Sequence, residues 1–142
     1  MSQPDSEPAD LDRLLAIMPF AATIGIALES ATPQQVTGRL AWSAGLCTAA
    51  GVMHGGALMT LADSLGGLCA YLNLPDGAAT ATISSSANFL RPVRAGDVHG
   101  FARPVHAGRS VIVVQTELRD DSAALAAQVT QAQAVLLGRY QA

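Results

Sequence analysis

A histidine and two glycines, His54-Gly55-Gly56, stand at the head of a long apolar segment, and an acid, Asp63, follows nine residues after the histidine. Glycine lets a ligand atom come close to the main chain. Where glycines open a helix, free backbone N–H groups point outward and the helix dipole adds partial positive charge. Those are the ingredients that stabilise an oxyanion. Asp63 sits among Leu61, Ala62, Leu65 and Leu68. Aspartate is a poor interior helix residue and is rarely fully buried without a partner. A carboxylate held there carries a desolvation cost, which often marks function. The plainer alternative is an exposed acid or one that caps another element.

Other chemistry is thinly represented. There is no G-x-S-x-G elbow, no phosphate-cradling G-x-x-x-x-G-K-[ST] loop and no G-x-G-x-x-G after a strand. His99 and His106 have no carboxylate or cysteine at metal-ligand spacing and read as surface or packing residues. Ser84-Ser85-Ser86 has no base nearby in sequence and reads as polar strand. Cys47 and Cys69 form neither a disulfide framework nor a metal site, and are expected to be reduced thiols of a cytosolic protein. Neither a metal nor a redox cofactor is expected. Arg91, Arg94 and Arg109 follow one strand and open another. Arginine suits phosphate geometrically, the alternative being solvated loop arginines.

These groups need elements to hold them. Leu58, Leu61, Leu65, Leu68 and Leu72 recur at spacings of three and four, which predicts a helix over residues 54–74. Its other faces are also mostly apolar, so it is expected to be buried on several sides. Asp63, Ser64, Asn73 and further glycines argue against a membrane span. Before it, Asp10 can cap a short helix bearing Leu11, Leu14, Leu15 and Met18, which Pro19 stops. Ile24, Ile26 and Leu28 then alternate, Pro33 turns, and Val36, Gly38, Leu40 and Trp42 alternate again, predicting two strands.

After the long helix, Pro75-Asp76-Gly77 supplies turn chemistry. Residues 79–90 alternate, with Thr80, Thr82, Ser84, Ser86 and Asn88 expected on one face. Strands are also predicted over Val98–His106, where Pro104 implies an edge or a bulge, and over Arg109–Leu118. Ala123–Leu137 reads either way: its Ala, Leu and Gln favour a helix, its alternation a strand. Helix, strands, buried helix, strands is an α+β order, with one antiparallel sheet and a helix packed on it.

A chain of 142 residues fits a single domain, here 10–142, behind a polar, proline-containing tail over 1–9 expected to be disordered. Hydrophobic residues make up 50% and charged residues 13%, which excludes a disordered class and points to surface buried against another copy. The net charge of −3 arises entirely in the N-terminal stretch. The neutral remainder carries no basic footprint for nucleic acid. No signal peptide is expected at the N-terminus.

The run His54-Gly55-Gly56 with Asp63, followed by Asn88-Phe89-Leu90-Arg91-Pro92 and Gly96-Asp97, resembles the hotdog-fold acyl-CoA thioesterases of the phenylacetate-degradation (PaaI-like) type. The resemblance covers nearly the whole chain. It implies a curved antiparallel sheet wrapped around a long central helix, with a short N-terminal helix. Ala123–Leu137 becomes the final strand. It also implies a homodimer, often paired into a homotetramer, with active sites at the subunit interface. Asp63 would act as general base or nucleophile. The Gly55 N–H would polarise the thioester carbonyl, His54 would orient the turn, and Thr82 would help place the water. Many relatives carry Asn or Gln six residues before the histidine, where this chain has Thr48. Arg91, Arg94 or Arg109 would contact coenzyme A phosphates, coenzyme A being part of the substrate. The acyl group implied is medium-chain or aryl. Two rivals stand beside hydrolysis: a non-catalytic acyl-CoA binding or sensing protein, and a hotdog hydratase, which Leu68 disfavours where that signature has histidine.

Overall fold

Residues 10–138 are described by a computed structural model; the expected disordered tail, 1–9, lies outside them. Asp10 caps α1 (Leu11–Ala16), its side chain accepting the Arg13 N–H at 3.2 Å. Pro19 does not simply stop this helix. It opens a second one, α2 (Pro19–Ile24), because a first-turn proline has its φ preset and needs no intrahelical N–H bond. Gly25, at φ 95°, ends α2 in the left-handed conformation. Ile24 therefore belongs to a helix, and the first strand begins later than the alternation predicts, at β1 (Ala27–Ala31).

β2 (Val36–Ala41) pairs with β1, and two short 3₁₀ turns lead to α3 (Gly55–Leu72). Leu58, Leu61, Leu65 and Leu68 are buried along α3, as their spacing requires, with Ala62 and Cys69 between them. The remaining strands are β3 (Ala79–Phe89), β4 (Asp97–Ala107), β5 (Val111–Arg119) and β6 (Leu125–Leu136). They form one sheet in the order β1-β2-β4-β5-β6-β3, with every pairing antiparallel. α3 packs across β2, β3, β4, β5 and β6, which is the hotdog arrangement. Gly38 and Gly100 are partners across β2 and β4, and a Cβ on either would strike the Leu65 side chain. This glycine pair lets the helix settle onto the sheet.

Residues 125–136 are a strand despite their helix-forming composition. β6 is paired on both sides, by β5 and β3, and buries Ala127 and Val129 against α3. That tertiary gain outweighs weak local propensity. Pro104 lies beside a register shift, as a proline within a strand requires.

The alternation in β3 is not unbroken. Thr82 pairs with Gln133 and Ser84 with the next residue back, Ala132, so Ile83 is an extra residue in a bulge. The bulge inverts the faces beyond it. Ser85, Ala87 and Phe89, rather than Ser84, Ser86 and Asn88, continue the face that carries Thr80 and Thr82. Ser85 lines the same cavity as Thr82, Ala87 packs on the core, and the Phe89 ring lies against Gly55. No described helix is long and apolar enough to cross a membrane.

Candidate active site

α3 is packed on several sides, yet Asp63 lies on its exposed side, facing the inner surface of β3 and β6. Its Oδ1 accepts a hydrogen bond from the Thr82 hydroxyl at 3.2 Å and from the Gln131 amide at 3.3 Å. Behind Thr82, the Gln133 side-chain amide donates to the Thr82 oxygen at 2.8 Å. The Thr80 hydroxyl lies 3.2 Å from the Gln133 Oε1 and 2.9 Å from the Ala134 carbonyl. Asp63 Oδ2 makes no hydrogen bond among the described residues. Asp63, Thr82, Thr80 and Gln133 open onto a cavity of about 620 Å³, whose walls include Ile17, Phe20, Met59 and Leu68. A carboxylate with one unbonded oxygen therefore lines a largely apolar hollow with room for an organic group.

The head of α3 forms a second, separate centre. His54 caps the helix, its Nδ1 accepting the Gly56 N–H at 2.7 Å. An accepting Nδ1 places the ring hydrogen of the neutral imidazole on Nε2. His54 also lines a cavity of about 390 Å³ with Phe20, Cys47 and Thr60. Gly55, the first residue of the helix, has an N–H with no intrahelical acceptor. It opens onto a third cavity, of about 340 Å³, which Thr48, Phe89 and Arg91 also line. Gly55 and Asp63 are eight residues apart on one helix, roughly 12 Å along its axis. Within a chain they belong to different cavities.

The three arginines are dispersed rather than clustered. Arg91 lies beside Gly55, its main chain held by the Ala126 carbonyl. Arg94 bonds the carbonyl of Ala50 at 3.1 Å, where Ala50 adopts a left-handed φ of 63°. It braces the loop that leads into α3. Arg109 lies in the turn before Ser110, whose carbonyl receives the N–H of Val135. Ala126 and Val135 are nine residues apart on β6, so Arg91 and Arg109 flank opposite ends of a ladder about 30 Å long.

Sequence spacing missed one group. Asp97, His99 and Asp121 come together with their ligand-capable atoms within 4.8 Å of one another, Asp121 arriving from the β5–β6 turn. Those atoms are already engaged with the protein. His99 Nε2 lies 2.8 Å from Asp121 Oδ1, Asp121 Oδ2 accepts the Asp97 N–H at 3.2 Å, and Arg39 Nε lies 3.9 Å from Asp97. The His99 hydrogen bond, and next the Asp97 N–H, hold the Asp121 carboxyl below the usual carboxylate range. Burial pushes the Cys69 thiol up to about 11, which keeps it protonated and unreactive at neutral pH.

Gln131 and Gln133, both 1% exposed, were not singled out as site residues from sequence. Their signal was present: two amides in the inward register of a strand, flanked by Val129 and Val135. Buried amides on an apolar face require partners, and Asp63 and Thr82 are those partners.

Residues 50–127 match the thioesterase superfamily. Among solved structures, a mutant thioesterase from Pseudomonas aeruginosa superposes with a TM-score of 0.84 at 28% identity, covering 89% of this chain and 94% of that one. A phenylacetic acid degradation-related protein from Ralstonia eutropha JMP134 gives a TM-score of 0.76 at 28% identity, covering 82% and 89%. The 1,4-dihydroxy-2-naphthoyl-CoA hydrolase of Escherichia coli K12 is 35% identical over 75 residues, which are 53% of this chain and 55% of that enzyme. The chain spans about half the length of the curated relatives it first matches.

Proposed function

The chain belongs to the thioesterase superfamily, and from that premise we propose that it hydrolyses an acyl-CoA thioester to a free acid and coenzyme A. One observation carries the reading: Asp63 lines a largely apolar cavity and keeps one carboxylate oxygen without a hydrogen bond among the described residues. Asp63 takes a proton from a water molecule, and the water oxygen bonds to the thioester carbonyl carbon. The carbonyl oxygen becomes an oxyanion, received by the Gly55 N–H at the helix terminus. Collapse of the tetrahedral intermediate breaks the C–S bond, and the departing thiolate acquires the proton. Direct attack by Asp63 on the carbonyl is the variant of this step with a covalent intermediate. Every group named belongs to the chain or the substrate, so the step calls on no cofactor.

Because Gly55 and Asp63 are about 12 Å apart on one helix, the reading requires a second subunit to bring its Gly55 to this Asp63. β3 offers the surface. It lies at the sheet edge, spans 11 residues without lysine or proline, and is almost wholly exposed. Ile83 is 60% exposed and Phe89 51%. A long uncharged edge is a template for pairing. The proposed assembly is a homodimer joined along β3, further paired into a homotetramer. Arg91 and Arg109, at opposite ends of the ladder, then meet a single coenzyme A only if different subunits supply them.

The apolar wall of Ile17, Phe20, Met59 and Leu68 suits a medium-chain or aryl acyl group. The PaaI-like assignment, with a role in phenylacetate degradation, rests on the sequence motifs and on the likeness to the Ralstonia protein. The two cysteines are free thiols, which suits the cytoplasm. Thr48 favours a second reading, a non-catalytic acyl-CoA binding protein, because beside Gly55 it offers a short hydroxyl where many relatives carry an Asn or Gln amide. A panel of acyl-CoAs scored by thiol release separates the two. Release from an aryl or medium-chain member establishes hydrolysis; saturable binding of acyl-CoA with no release from any member establishes the binding protein.

A further inference from the structure

An ionised carboxylate can only accept hydrogen bonds, and that constraint sets every donor around Asp63. Thr82 has one hydroxyl hydrogen, and it goes to Asp63 Oδ1. The Thr82 oxygen must then accept from Gln133, so Gln133 directs its NH₂ toward Thr82 and its carbonyl oxygen toward the Thr80 hydroxyl. Gln131 is fixed in the same way. Its NH₂ faces Asp63, because the opposite orientation would set two acceptors against each other. That orientation leaves Gln131 Oε1 buried and without a partner. It lies where a Cβ on Gly66 would stand, so the absence of a side chain at 66 makes room for the amide. An unpaired buried acceptor costs stability, yet the arrangement is kept. Both donors converge on Oδ1 and leave Oδ2 without one among the described residues.

We propose that Gln131 and Gln133 are positioning residues that confine the hydrogen bonds of Asp63 to Oδ1, so that Oδ2 is the oxygen that receives the proton from water. Gln131 acts directly and Gln133 through Thr82. The inference rests on the reading of Asp63 as general base. It adds that a pair of strand glutamines, not the helix, decides which carboxylate oxygen reacts.

Gln131→Met keeps the volume and removes both the donor and the orphaned oxygen. kcat should fall about 10–100-fold, the cost of a small misplacement of a reacting group, while KM stays within twofold and Tm does not drop. In an Asp63→Asn background the same substitution should change residual kcat by less than twofold, since Gln131 acts only through the carboxylate. An equal loss of kcat in both backgrounds, or none in the parent, overturns the proposal. Should Gln131→Met not fold, Gln133→Met is put through the same cycle with the same criteria. A parent that releases no thiol from any acyl-CoA rejects hydrolysis, and with it the proton transfer. The Tm values of a cycle that pairs Gln131→Met with Asp63→Ala, which leaves no acceptor oxygen at position 63, then still decide the hydrogen bonding: non-additive shifts support the hold on Asp63, and additive shifts overturn it.

Discussion

Two aspartates of this chain are each held by two hydrogen bonds, and the distribution of those bonds separates them. Asp63 receives both donors, Thr82 and Gln131, on a single oxygen. Asp121 spreads its bonds over both, with His99 on Oδ1 and the Asp97 N–H on Oδ2. The partners of Asp63 come from β3 and β6, at the mouth of an apolar cavity. Those of Asp121 are on β4, and they latch the β5–β6 turn to the start of that strand. A carboxylate with both oxygens occupied ties segments together. One with a free oxygen beside a cavity can accept a proton. Counting hydrogen bonds alone would not have distinguished the two.

The largest effect should come from removing the charge at each position. Asp63→Asn keeps the shape and abolishes the base, so kcat should fall by about 10²–10⁴. Asp121→Asn should leave kcat within twofold. Steady-state thiol release on both purified, folded variants checks the contrast. Equal losses would break the comparison, because the free oxygen would then confer nothing.

The free oxygen also needs a polarised carbonyl, and the N–H that supplies it lies on another subunit in the proposed assembly. Gly55→Pro tests this. Position 55 is the first residue of α3, where proline is tolerated and the only loss is the N–H; Phe89 must yield slightly, since a Cβ at 55 would lie 3.2 Å from its ring. Gly55→Pro and Asp63→Asn should each be nearly inactive alone. Refolded together in equal amounts, they should recover about a quarter of the parent activity, since half the dimers are mixed and each mixed dimer has one intact site. No recovery would place both groups in the same subunit's site.

A smaller change should follow at the cavity wall. Phe20 is 64% exposed in one chain and lines the cavities of both Asp63 and His54. Phe20→Ala should raise KM for an aryl or medium-chain acyl-CoA by about tenfold, with kcat within twofold, as expected when binding common to ground and transition states is lost. The same variant should leave KM for acetyl-CoA unaltered, because a two-carbon acyl group does not reach the wall.

The helix was legible because its leucines keep one period over 18 residues and its head carries paired glycines. Asp63 was legible as the acid that broke that apolar pattern. The order of the strands was not legible, since β3 joins the sheet beyond β6, whose paired residues lie 38 to 57 positions further along the chain. Nor was the bulge at Ile83, which is set by pairing and not by composition. The two glutamines stood in plain view as alternating residues, but their meaning depends on which way β6 faces. Asp121 acquired its partners only when the turn after β5 folded back onto β4. Local periodicity names the elements, whereas long-range pairing decides which polar groups meet.

The smallest expected effect concerns the acid stability of the latch. The Asp121 carboxyl is held below its usual value, 3.8, first by the His99 hydrogen bond and then by the Asp97 N–H. Lowering a carboxyl in the folded state means that the ionised form is favoured by folding. Its contribution to stability is complete above the unfolded value and is lost as pH falls through the lower, folded one. Asp121→Asn cannot titrate and keeps one acceptor oxygen instead of two. At neutral pH its Tm should therefore lie a few degrees or less below that of the parent, because the latch is exposed and screened. Between about pH 5 and pH 2 the parent should lose Tm more steeply than the variant, so the two curves converge as acid protonates Asp121. Thermal melts across that range, read by circular dichroism, check the convergence. Parallel curves would show that the latch contributes nothing pH-dependent to the fold, and Asp121 would then differ from Asp63 only in lacking a free oxygen.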